Sequence, residues 1–125
     1  MAALLANCSG SKLSKDDLRI AAGDIRAFAA ATDLLAQEQL AGHLTKKFFT
    51  TQSESLLDKA HASKKSLESP AGELESFRKK IADIASKLET QLLQIQTSGP
   101  TNADRLAFAE MTTTARNIEE LLKDK

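Results

Sequence analysis

Apolar residues recur every three or four positions along most of this 125-residue chain, the spacing of one helical face. Leu18, Ala21, Ile25, Phe28, Thr32 and Leu35 make the first stripe. Ser14 stands before it as a cap, and Asp16 and Asp17 suit the positive end of a helix dipole. Continued in register, the stripe lands on Gln39, Gly42 and Lys46, three poor core residues. It then resumes at Phe49, Leu56, Ala60 and Leu67, while Leu40, Leu44 and Phe48 form a displaced row. The slipped seam predicts a bend or tight turn within 36–43, and hence helices over 15–36 and 38–67. One continuous helix of about 50 residues is the alternative, since neither proline nor a glycine pair enforces a break.

The second half reads more simply. Leu74, Phe77, Ile81, Ile84, Leu88, Leu92 and Ile95 follow heptad spacing. Ser69 and Pro70 precede them as a cap and a first-turn proline, which predicts a helix over 70–97. Gly99 and Pro100 end it, with Gly99 free to take a left-handed conformation. Thr101 to Asp104 resembles a capping box with Asp in place of Glu. It opens a helix over 102–123 whose stripe is Phe108, Met111, Ala115, Ile118 and Leu122. Four amphipathic helices with short connections predict an all-α, up-down-up-down bundle over residues 14–125. Ile81, Ile84, Leu88, Phe108 and Ile118 belong in its core. Residues 1–13 are set apart as a flexible N-terminal segment or the remnant of a targeting signal.

Composition agrees with a helical fold. The chain has no Val, Trp or Tyr, the residues that cover sheets, but 20 Ala and 18 Leu. Seventeen basic residues balance seventeen acidic ones, so the net field favours neither nucleic acid nor an anionic membrane. No apolar run approaches the roughly 20 residues of a transmembrane helix. The single cysteine, Cys8, rules out an internal disulfide. The histidines, His43 and His61, stand far apart and no Glu-x-x-His pair occurs. We therefore expect no metal site, no cofactor and no catalytic cluster, that is, a protein that is not an enzyme.

Three surface features carry the functional expectations. Lys46-Lys47, Lys64-Lys65 and Lys79-Lys80 are basic doublets without interleaved aromatics, which offers no platform for nucleic acid. They read either as a solvated face balanced by nearby Glu and Asp or as a local basic patch for an acidic protein partner. Leu5-Ala6-Asn7-Cys8 resembles a bacterial lipoprotein cleavage box with Cys8 as the lipidated residue. That reading makes the chain an envelope lipoprotein of the periplasm or outer membrane, or a helical adaptor. Ala60-His61-Ala62-Ser63-Lys64 resembles the motif of histidine phosphotransfer modules, although Lys65 stands where those carry glycine.

The broadest resemblance covers residues 59–125. Lys64-Lys65-Ser66-Leu67-Glu68 precedes a long helix. Gly99-Pro100-Thr101-Asn102-Ala103-Asp104-Arg105 then opens the last helix, and Asn117-Ile118-Glu119-Glu120-Leu121-Leu122 closes it. This order is similar to the C-terminal half of the PsbQ family, extrinsic four-helix subunits on the lumenal side of photosystem II. The aromatic residues of the second helix in plant members have no counterpart here. The resemblance implies a non-catalytic accessory subunit in the thylakoid lumen, peripheral to the membrane. It would stabilise the oxygen-evolving complex by binding the photosystem II core and other extrinsic subunits, with Lys64 and Lys65 as partner contacts.

Overall fold

The computed structural model describes residues 12–124. They form four helices, α1 (Lys15–Leu40), α2 (Lys46–Lys65), α3 (Glu75–Ser98) and α4 (Asn102–Lys123), with a short 3-10 turn at Gly72–Leu74. No strand occurs among the described residues. Cross-helix pairs show the direction of each neighbour. Arg26 meets Glu119 while Arg105 meets Asp33, so α1 and α4 are antiparallel. Glu89 meets Lys64 while Arg78 reaches the Leu67 carbonyl, so α2 and α3 are too. The result is the expected four-helix up-down-up-down bundle.

Local chemistry explains the boundaries. Ser14 and Asp17 form a reciprocal capping box at α1, and Thr101 and Asp104 form another at α4. The α1–α2 turn lies at the end of the expected 36–43 window, and α1 ends four residues past the expected 36. Helix α1 continues to Leu40 and stops because Gly42 adopts φ 77°, a conformation that costs glycine little. His43 N–H then donates to the Glu38 carbonyl and Gly42 N–H to that of Gln39, both at 3.0 Å. This pattern is a Schellman motif. Thr45 caps α2 by accepting the Phe48 N–H at 3.1 Å, which moves its start from 38 to 46.

The C-terminal end of α2 and the start of α3 also differ from expectation. Helix α2 ends at Lys65, not 67, and α3 begins at Glu75, not at Pro70. Gly72, at φ 58°, turns the chain away from helical geometry after the proline. The Pro70 carbonyl accepts the Leu13 N–H at 2.8 Å, and Ala71 N–H donates to Glu75 Oε1 at 3.1 Å. The first bond ties the 66–74 loop to the segment before α1, and the second ties it to the start of α3. Gly99 has the expected positive φ of 78°, but ψ is 157°, an extended value instead of a left-handed helical one.

Side-chain size sets how closely the helices approach. The buried face of α1 carries Ala21, Ala22, Ala29, Thr32 and Ala36 among its larger residues, and that of α2 carries Ser53, Ala60 and Ser63. Small residues allow backbones to come near. Accordingly α1 packs most extensively on α4, and α2 on α3. The α1–α2 and α3–α4 contacts are sparser, and α1 touches α3 across the diagonal. The α1–α4 pair is thus the closest in the bundle, and the α3–α4 seam is the loosest between chain neighbours. Ile81, Leu88 and Phe108 are fully buried in it, and Ile84 and Ile118 nearly so, as their heptad positions predict.

Candidate docking surfaces

The α3–α4 seam opens into a groove of about 570 Å³. Ile84, Ala107, Met111 and Ile118 form its floor. Lys80 and Lys87 edge the groove on α3 and Glu110 on α4, with Asn117 and Gln91 between. Lys87 is tied to Asp83 one turn back at 3.2 Å, whereas Lys80 has no ion pair among the described residues. At one end Gln91 Nε2 donates to Asp104 Oδ1 at 2.7 Å and pins the two helices. Asp104, buried at the positive end of α4, also accepts the Thr101 N–H at 2.8 Å. This carboxylate is a structural clamp, and both of its oxygens are used.

The α1–α2 seam holds a second groove, of about 340 Å³. Leu35 and Leu56 lie in its floor, and Leu34, Leu44 and Phe48 rise beside it. Leu34 is 57% exposed and Phe48 48%. Glu38 and Lys59 mark its two ends.

Of the residues singled out by sequence, Lys64 is the most constrained. Its ammonium lies 3.2 Å from Glu89 on α3, and the same carboxylate accepts a 2.8 Å hydrogen bond at Nδ1 of His61. Lys64 is therefore engaged within the bundle, while Lys65 is exposed and forms no ion pair among the described residues. His61 lies near the C-terminal end of α2 and His43 in the α1–α2 turn, so they do not meet; His43 instead pairs with Glu38 at 2.6 Å. Cys8 lies outside the described residues. Among those residues no cluster of His, Cys, Asp or Glu could hold a metal ion, and no helix is long and apolar enough to cross a membrane.

The 66–74 loop has its own clamp. Arg78 grips Glu75 through two nitrogens, one of them at 2.8 Å, and donates to the Leu67 carbonyl at 3.0 Å. The Arg78 hydrogen bonds, aided by the Ala71 N–H, hold the Glu75 carboxyl far below its ordinary range, at about 2. Hydrogen bonding to Asp33 likewise raises Arg105 above its ordinary value, and this pair spans α4 and α1. These polar groups position the helices and leave the seams open.

Comparison with known proteins finds no matching family model, curated protein or solved structure. Sequence reasoning found the stripes that floor both grooves but missed the grooves themselves. The available signal was the exposed side of each stripe, where Leu34, Phe48, Lys80 and Lys87 stand one position off the buried residues.

Proposed function

We propose that this chain is a non-catalytic accessory subunit that docks on a larger protein complex through its α3–α4 seam. The observation that carries this reading is the open groove there, whose apolar floor of Ile84, Met111 and Ile118 runs beside Lys80 and Lys87. An apolar furrow with charge on its edge suits a protein surface that supplies complementary acidic groups. The PsbQ resemblance suggests the host: the lumenal oxygen-evolving side of photosystem II. Lys65 and Lys79 are exposed at the same end of the bundle as Lys80 and add basic charge there. Lys64 and Lys87 contribute less than Lys80, because their charges are already answered by Glu89 and Asp83.

The test is co-sedimentation with photosystem II cores over a salt series. Wild type is compared with a Lys80→Glu/Lys87→Glu variant and a Lys64→Glu/Lys65→Glu variant. Reversal of the seam lysines is expected to weaken binding and flatten its salt dependence, since rim charges act mainly through screened association. A larger loss in the Lys64/Lys65 variant would move the contact to the α2–α3 end. Absence of binding by the wild type would remove the photosystem assignment.

A further inference from the structure

We propose that the α1–α2 face is a self-association surface, closed by a second copy of this chain across a two-fold axis. A two-fold interface presents the same patch from both sides, so the patch must complement itself. This face does so in shape. Leu34 and Phe48 project beside a furrow floored by Leu35 and Leu56, so one surface carries both ridge and hollow.

The face also complements itself in charge. Glu38 stands at the turn end of the groove and Lys59 at the opposite end. Lys59 has no ion pair among the described residues, and Glu38 pairs with the exposed His43. A two-fold axis through the middle of the groove reverses the direction of the second copy. Glu38 then faces Lys59 of the partner subunit, and the same pair forms again on the other side of the axis. Two opposite charges, one at each end of an apolar strip, are what an antiparallel copy satisfies twice. The α3–α4 seam lies on different helices, so this proposal and the docking reading stand or fall separately.

The experiment is sedimentation equilibrium of the full chain at concentrations up to about 100 μM. Wild type is expected to dimerise. Phe48→Ser is expected to weaken the dimer by about a hundredfold or more, since two aromatic anchors are lost per dimer. Its helical circular dichroism should stay unchanged, because Phe48 is half exposed. Glu38→Lys and Lys59→Glu should each weaken self-association by about tenfold through like-charge contacts. An equimolar mixture of those two variants should restore it, because every two-fold pair then joins Lys to Glu. A wild type that stays monomeric throughout would overturn the proposal and leave the face to a different protein. So would a dimer indifferent to Phe48→Ser, or a mixture no tighter than either charge variant alone.

Discussion

Replacing Gly42 by alanine distinguishes a hairpin from a rod by the sign of the stability change. In the structure Gly42 has φ 77°, and nothing lies within 4 Å of the position a Cβ would take. The cost is therefore conformational and has no steric part. Holding an L-residue in the left-handed region costs about 1–2 kcal/mol, and lower entropy of the unfolded chain offsets about 0.4–1 kcal/mol of that. Gly42→Ala should thus destabilise by about 1 kcal/mol. In a continuous helix the same change would stabilise by about 1 kcal/mol, the difference in helix propensity. Gly23→Ala is the internal control. Gly23 lies within α1, and its Cβ would meet Glu119 Oε2 at 3.1 Å, on a carboxylate that Arg26 holds at 2.8 Å and that would have to give by a few tenths of an ångström. The helix-propensity gain should leave that variant neutral or more stable by about 0.5 kcal/mol. Urea unfolding followed by helical circular dichroism gives both values from the midpoint at constant slope. A Gly42→Ala midpoint above that of the wild type would refute the Schellman turn and the separation of α1 from α2.

The core and its clamps give three further tests by chemical unfolding. Ile84→Ala should cost about 2–5 kcal/mol, and a loss under about 0.5 kcal/mol would place that stripe on the surface. Asp104→Ala removes the α4 cap and the acceptor of Gln91, so a loss of about 1–3 kcal/mol is expected; a neutral result would show that neither bond is formed. The Glu75 carboxyl titrates lower in the folded chain than in the unfolded one. Its contribution is therefore present above the ordinary carboxylate range and is lost as pH falls from about 4.5 to about 2. Stability measured across that window should decline less steeply in Glu75→Gln than in wild type, and parallel curves would refute the Arg78 clamp.

Much of the fold was legible because each signal was local. The boxes at Ser14 and Thr101 are made within four residues, and heptad spacing marked Ile81, Ile84 and Leu88 without knowledge of any neighbour. The errors arose where a residue had two possible roles. Gly42 looked like a gap in the apolar stripe, yet it is the positive-φ residue that ends α1 just after its Ala41 cap. Pro70 looked like a first helical residue, yet its carbonyl binds the Leu13 N–H and Gly72 postpones the helix to Glu75. Both outcomes depend on backbone geometry that periodicity does not encode.

The surfaces were less legible because they depend on pairings distant in sequence. Lys64 and Lys65 read alike as a doublet. In the fold, however, Glu89 answers Lys64 and not Lys65, a distinction created when α3 packs beside α2. Likewise, the alanines of α1 identify a face that permits close approach, but not which helix will use it. With α4 in that close position, the α3–α4 seam keeps the fewest contacts of the neighbouring pairs. Leu34 and Phe48 then stay half exposed for geometric reasons, although they neighbour core residues in sequence. Filling the α1 face with larger side chains, as in Ala29→Leu, would force α4 outward and should alter both seams together.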